Sequence, residues 1–165
     1  MKHWQRILGA GLVMVALALT ALGGQDSLAN GTTIYVDAGA TTGANNGSSW
    51  QHAFTDLQNA LDIAEAGDQI WVAEGTYLPS TEHGGSGDRY RSFQLKNSVA
   101  LYGGFDPDAG VTEFEHRDWV LHETVLSGDL NGDDGPDFAN NGENSYHVFY
   151  HPDGTGLDST CLLYT

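Results

Sequence analysis

The stretch FTDLQNALDIAEAGDQIWVAEGTY, residues 54–77, joins an amphipathic segment, a glycine and a strand pattern in direct succession. In its first half, apolar residues recur at steps of three and four, and this periodicity predicts a helix over residues 55–66. Thr55 and Gln58 fit a capping box, in which each side chain satisfies a free backbone N–H of the first turn. Gly67 suits the left-handed position just past a helix end.

The second half of this stretch predicts a strand, since residues 69–73 (QIWVA) are rich in β-formers. A helix of this length is not stable alone in water, so its apolar face must pack against other elements. We therefore expect the helix to cover the first layer of a stack of strands, whose open edge needs protection.

Other short strand patterns follow along the chain, at residues 33–37, 92–95, 99–102, 124–127 and 146–150. Gly103-Gly104 predicts a bend after the third of them. From residue 71 onward the strand centres lie about 22 to 29 residues apart, a spacing typical of architectures in which each repeat adds one layer. A β-sandwich also fits this spacing.

Three ordered motifs carry a resemblance to a known family: IYVDAGATTGANNGSSW (34–50), SFQLKNSVALYGGF (92–105) and TVLSGDLNGDDG (124–135). Together with residues 54–77 they resemble the N-terminal portion of secreted bacterial proteins of the pectin-lyase-like group, which includes polymorphic outer-membrane-type surface proteins. The resemblance implies an all-β fold, a right-handed parallel β-helix (a solenoid) with a short N-terminal capping α-helix. That fold hosts lyases, hydrolases and adhesins, so it does not fix the function.

The sequence divides into four segments. Lys2 and Arg6 precede an uncharged apolar run, and small residues follow at positions 27–29, so residues 1–29 are predicted to be a cleaved signal peptide. A retained membrane anchor is the alternative. Residues 30–52 are predicted to hold a strand and a loop, and residues 53–156 the capping helix and the first β-helix turns.

The last segment, residues 157–165 (LDSTCLLYT), is a largely apolar tail in which Asp158 is the one charged side chain. A stack of strands that ended there would expose apolar surface, which repeat proteins avoid with a closing cap. We therefore expect the tail to be atypical, truncated or frameshifted, and the chain to be an incomplete fragment.

The composition limits the kinds of molecule that the protein can bind. A formal net charge of −16 repels nucleic acid and anionic lipid, and it favours cations or neutral partners. The single cysteine, Cys161, excludes an intramolecular disulfide framework. Together with the predicted signal peptide, the absence of disulfides predicts a secreted or cell-surface bacterial protein, with membrane contact only through the signal peptide. The resemblance to the pectin-lyase-like group implies a polysaccharide or cell-surface glycan as its partner.

The sequence predicts no catalytic residue and no bound organic cofactor. Arg117-Asp118 is the best local pair for proton abstraction from a uronate, but a structural ion pair beside a buried Trp119 is favoured. His147 and His151 lie four apart on a strand pattern, too far apart to share one zinc ion. Trp50, Trp71 and Trp119 could stack on sugar rings, but all three are expected to pack in the protein, because large aromatic side chains are usually buried.

One loop predicts a metal site. Asp129, Asn131, Asp133 and Asp137 place oxygen side chains at alternating positions, as calcium-binding loops do. The pattern departs from an EF-hand, because Asp134 stands where the turn glycine belongs and Asn140 replaces the bidentate glutamate, with Glu143 three residues further on. A solvated acidic turn is the alternative, since Asp, Asn and Gly are also ordinary turn residues. Ca²⁺ is the one cofactor that the sequence suggests.

These observations predict the N-terminal capping part of an extracellular β-helix protein, with adhesion or carbohydrate binding as its function. The N-terminal part of a polysaccharide lyase or glycoside hydrolase is the alternative.

Overall fold

The computed structural model describes residues 31–151 and 162–164 of the chain. Its elements, in chain order, are β1 (Thr33–Val36), α1 (Leu57–Ile63), β2 (Gln69–Ala73), β3 (Gly75–Tyr77), β4 (Phe93–Gln94), β5 (Ala100–Phe105), β6 (Thr124–Leu126), β7 (Phe149–Tyr150) and β8 (Leu162–Tyr164). Four short 3-10 turns lie between them. The predicted strands at 33–37 and 69–73 are confirmed almost residue for residue.

The strands form three separate sheets, and all the pairs are parallel. The largest sheet has the order β1-β2-β5-β8, while β3 pairs with β6 and β4 pairs with β7. In the largest sheet, Tyr35 lies beside Trp71, and Trp71 beside Tyr102. β2 and β5 are therefore the two inner strands, each with a partner strand on both sides.

The prediction of an all-β right-handed parallel β-helix is wrong. The described residues form one α-helix and small sheets whose strands are two to six residues long. These sheets neither close into a barrel nor build a solenoid. The predicted strands were not successive layers of one stack: β2 and β5 share a sheet, but β6 and β7 belong to the other two. Their even spacing along the sequence therefore did not reflect a structural repeat.

Helix α1 is shorter than the sequence predicted, and its cap differs. Asp56 is the N-cap residue, and its side chain accepts a hydrogen bond from the backbone N–H of Gln58 at 2.8 Å. An aspartate also suits the positive end of the helix dipole. The Gln58 side chain does not complete a capping box with Thr55. Its Nε2 donates to Asp62, and its Oε1 accepts from the backbone N–H of Gln94 in β4.

The core lies between α1 and the sheets. The helix packs against β1, β2 and β4. Its apolar face is buried as the periodicity predicted, and the largest fully buried side chains are Phe93, Phe105, Leu57, Leu61, Ile70, Gln58, Val36 and Val72. Each of the apolar ones contributes about 1.5 to 3 kcal/mol through burial. Among residues 31–151, every buried apolar residue precedes residue 106.

Gly103 and Gly104 do not form the predicted bend, because both lie inside β5. Gly104 has φ +91°, which a residue with a side chain rarely adopts, and the register between β2 and β5 shifts beside it. Its carbonyl accepts a hydrogen bond from the backbone N–H of Asp118 at 2.8 Å. The irregular strand thus provides an attachment point for the loop that precedes β6.

The predicted signal peptide, residues 1–29, lies outside the described residues. Within the predicted atypical tail, residues 162–164 form β8 and pair with β5, and the rest of that tail is also outside the described part. Among the described residues, no helix combines the length and the apolar character that crossing a bilayer requires.

Candidate functional site

A turn at residues 118–122 places three consecutive apolar side chains in water. Trp119, Val120 and Leu121 are 51%, 82% and 72% exposed. The Asp118 carboxylate accepts hydrogen bonds from the backbone N–H groups of Val120 and Leu121, at 3.0 and 3.1 Å. The turn is therefore held in one conformation while it exposes apolar surface, and such surface usually marks a contact site. We call residues 119–121 the WVL turn.

Trp119 lies at the edge of a groove of about 430 Å³ beside β5 and β6. Gly103 and Gly104 line it without side chains, and Glu123 and Val125 supply a carboxylate and an apolar surface. The Thr124 hydroxyl also faces this region, but it already donates to the carbonyl of Ala73 at 3.1 Å. The groove combines one aromatic ring with polar groups, as ligand sites commonly do.

Arg117 and Asp118, the pair considered for proton abstraction, have structural contacts. The Arg117 guanidinium lies 4.5 Å from the centre of the Phe114 ring and 5.4 Å from that of Trp119. The Asp118 carboxylate fixes the WVL turn. Both side chains thus have structural contacts, but the expected ion pair between Arg117 and Asp118 is not among the ion pairs of the described residues. The expectation that Trp119 is buried is wrong, because the turn points it outward.

Trp50 and Trp71 pack in the protein, as the sequence indicated. The Trp71 ring stacks on Phe105 with centroids 4.9 Å apart, and Tyr35 contacts both tryptophans edge-on. The indole N–H of Trp50 donates to the carbonyl of Thr112 at 3.1 Å. Their rings are thus committed to internal contacts, whereas Trp119 offers an accessible one.

The loop predicted to bind calcium begins with Asp129, whose carboxylate organises the turn. It accepts hydrogen bonds from the backbone N–H groups of Gly132, Asp133 and Asp134, at 2.7, 3.2 and 3.0 Å. The hydrogen bond from the Asp134 N–H is the main cause that lowers the pKa of Asp129, against a smaller opposing effect of desolvation. Asp129 is therefore held as a carboxylate.

The structure brings together only part of the predicted calcium ligands. Carboxylate oxygens of Asp129, Asp133 and Glu143 lie within 4.8 Å of one another. Asp137 is not in this group; it lies in an exposed turn with φ +57°. Asn131 is exposed, and its backbone N–H also contributes to the lowered pKa of Asp129. Sequence reasoning noted Glu143 only as lying beyond the calcium-loop pattern, because the chain must turn back to bring it close.

A second group of side chains was not predicted at all. Ligand atoms of Glu74, Asp106 and His122 lie within 4.8 Å of one another. These residues are far apart in sequence and sit at the ends of β2 and β5 and just before β6. Neither His147 nor His151 belongs to a group of potential metal ligands in the described chain.

Comparison with protein-family models, with curated proteins and with solved structures gave no significant match to this chain. The resemblance to pectin-lyase-like proteins thus gains no support, and the function must be argued from the geometry of these sites.

Proposed function

We propose that this chain is an exported binding module for neutral glycans, with Trp119 as the ring on which a sugar stacks. The observation that carries the proposal is the half-exposed indole at the edge of the groove beside β5 and β6. An aromatic ring fixed by a hydrogen-bonded turn loses little conformational entropy on binding. Export is proposed from the basic start and apolar run of residues 1–29.

The polar groups of the groove support a sugar over a purely apolar ligand. The exposed Glu123 can accept hydrogen bonds from sugar hydroxyls, while the two glycines leave room for a ligand to approach the backbone. The formal net charge of −16 opposes uronates and sulfated glycans. Neutral polysaccharides therefore fit this surface best.

Intrinsic tryptophan fluorescence of the full chain tests the proposal. Soluble cello-, xylo- and malto-oligosaccharides serve as neutral ligands, and polygalacturonate serves as the acidic one. We expect at least one neutral series to bind with a saturable change in fluorescence, and polygalacturonate not to bind.

Two variants locate the binding site. Trp119→Ala is expected to weaken binding by about 10-fold or more, because a stacked aromatic contact contributes about 0.5 to 1.5 kcal/mol beyond its buried area. Val120→Ser changes the same turn but not the groove lining, so it should bind like the unmodified protein. Equal binding by Trp119→Ala, measured by calorimetry, would remove Trp119 from the site and overturn the proposal.

We further propose that Ca²⁺ binds the loop through Asp129, Asp133 and Glu143 and fixes it. All three ligands are oxygens, which suits a hard cation. Glu143 also fits this role, since its Oε1 is buried and has no hydrogen-bond partner in the described part of the chain. A buried carboxylate oxygen without a partner is costly, and a cation would compensate it.

Calorimetric titration with Ca²⁺, followed by thermal unfolding with and without millimolar Ca²⁺, tests this assignment. We expect binding and a higher melting temperature, because an ion that binds only the folded state stabilises it. The double variant Asp129→Ala with Asp133→Ala should lose both effects. Glu143→Gln keeps the shape of the loop and should also weaken binding; absence of any heat in the unmodified protein would leave a solvated turn.

A further inference from the structure

We propose that Glu74, Asp106 and His122 form a binding site for a divalent transition-metal ion, of which Zn²⁺ is the best candidate. The imidazole nitrogen and the two carboxylate oxygens are the donor set that such ions accept. The site is distinct from the acidic loop at residues 129–143, whose ligands are oxygens only.

The fold itself brings the three side chains together. Ala73 pairs with Phe105, so the next residues, Glu74 and Asp106, leave two neighbouring parallel strands side by side. The backbone N–H of Glu74 donates to the Phe105 carbonyl at 2.7 Å. His122 arrives from the other sheet, because Gly75 at the start of β3 pairs with Thr124 at the start of β6. The site therefore lies where two sheets meet.

The distances suit a shared ion. His122 Nδ1 lies 2.9 Å from Glu74 Oε2 and 3.4 Å from Asp106 Oδ2. Two atoms that each bind one zinc ion at about 2.0 to 2.2 Å are separated by about 2.8 to 3.1 Å at octahedral angles and by about 3.3 to 3.6 Å at tetrahedral angles. The histidine nitrogen thus lies at ligand spacing from both carboxylates, and all three donor atoms lie within 4.8 Å of one another, so small side-chain movements would admit the ion.

The charges also favour a cation. Two carboxylates converge on one imidazole, and among the described residues His122 is the basic group that pairs with either of them. Even a protonated histidine would leave one negative charge in excess. A hydrogen bond between His122 and Glu74 explains why the Glu74 carboxylate lies beside the imidazole. It does not explain why the Asp106 carboxylate lies there as well.

Burial and outer contacts complete the site. His122 is only 9% exposed, and the Asp106 side chain is 16% exposed. The second oxygen of Asp106, Oδ1, accepts from the backbone N–H of Ala109 at 3.0 Å, which turns Oδ2 toward the histidine. Such second contacts orient metal ligands. The Glu74 side chain is 48% exposed and leaves a path from solvent.

The test uses the full chain and Zn²⁺ in calorimetry, with Co²⁺ absorption as a spectroscopic measure of the ligand set. We expect one ion to bind per chain at this site and Co²⁺ to show visible bands of a low-coordinate complex. His122→Gln and Glu74→Gln should each weaken Zn²⁺ binding at least about 100-fold, since even the loss of an outer contact costs 10- to 100-fold.

Glu74→Gln is the safer variant, because half of its side chain is in water and glutamine keeps its shape. Thermal unfolding without metal checks that each variant is folded. The double variant Asp129→Ala with Asp133→Ala must retain Zn²⁺ binding. No binding, equal binding by both glutamine variants, or loss of binding in the double alanine variant would each overturn the proposal.

Discussion

Residues 33–105 and residues 106–151 are stabilised in different ways. The first region holds every buried apolar residue of the range 31–151, arranged as α1 on the short parallel strands. The second is mostly exposed. Leu126, Val148 and Phe149 pack against the core from this region, and its loops are held by backbone hydrogen bonds and by carboxylates that accept from turn N–H groups, such as Asp118 and Asp129. The first region thus forms the core, and the second attaches to it.

The positions of the candidate sites follow this difference between the two regions. Trp119 and the acidic loop lie in the second region, while the Glu74–Asp106–His122 group lies at the boundary between the two. Loops that do not pack in the core can carry polar and exposed groups, provided that a rigid scaffold positions them. β5 is that scaffold here, since the Gly104 carbonyl anchors the WVL turn.

The largest effect is expected from Leu61→Asp in the first region. Leu61 is 2% exposed on the buried face of α1, so the variant places an unpaired carboxylate in the core. We expect a loss of about 4 kcal/mol or more in the free energy of unfolding. Urea denaturation measures it. Ile63→Asp on the same helix is the control, because Ile63 is 55% exposed and should lose much less.

Gly104→Ala tests the attachment between the two regions. Gly104 has φ +91°, and a Cβ atom there would lie 2.9 Å from the Trp119 nitrogen and 3.1 Å from the Asp118 carbonyl carbon. We expect a loss of about 2 to 3 kcal/mol, from backbone strain and from the displaced turn. Gly110 has a comparable φ of +83°, and a Cβ atom there would have no close contact. Gly110→Ala is therefore the control that measures the cost of backbone strain alone. Equal losses in thermal unfolding would mean that the attachment is not tight.

Tyr77→Phe is expected to have a smaller effect. The Tyr77 ring is buried, and its hydroxyl donates to the Ala73 carbonyl at 3.1 Å and accepts from the Ala38 N–H at 3.3 Å. Burial is the main cause that raises the pKa of this hydroxyl, so it stays neutral and able to donate. Losing these bonds should cost about 1 to 2 kcal/mol in urea denaturation. A variant as stable as the unmodified protein would show that they contribute nothing.

Asp129→Asn should change global stability least, and only in a pH-dependent way. The folded protein lowers the pKa of Asp129, chiefly through the Asp134 N–H. Its contribution is therefore present above the unfolded pKa of about 3.9 and is lost as pH falls through the folded value. The difference in melting temperature between the two proteins should be seen at pH 6 and should vanish toward pH 2. An unchanged difference over that range would contradict the role of the charge.

Sequence reasoning succeeded where local patterns determine structure. The periodicity of Leu57, Leu61 and Ala64 located α1, and the β-formers at 69–73 located β2. It failed at the pairing of strands, because the partners of β6 and β7 are set by tertiary packing and not by their spacing along the chain. It also placed Gly103 and Gly104 in a bend, although the pair lies inside a strand.

The candidate sites likewise differ in how far a local sequence pattern could predict them. Asp129 and Asp133 were predicted because calcium loops have a local pattern, whereas Glu143 joins them only after the chain has turned back. Glu74, Asp106 and His122 have no common motif, since strand register alone brings them together. Trp119 was expected to be buried because large aromatics usually are, and only the hydrogen-bonded turn at Asp118 reveals that it is exposed.

Hydrogen exchange of the full chain, resolved by residue, tests most directly the division into a core and an attached region that bears the sites. Amides of β1, β2 and β5 should exchange only through global unfolding, because their strands enclose the buried side chains. Amides of residues 106–123 and 128–145 should exchange much faster, through local opening. Uniform protection across both regions would contradict the account, and so would faster exchange in β2 than in the loops.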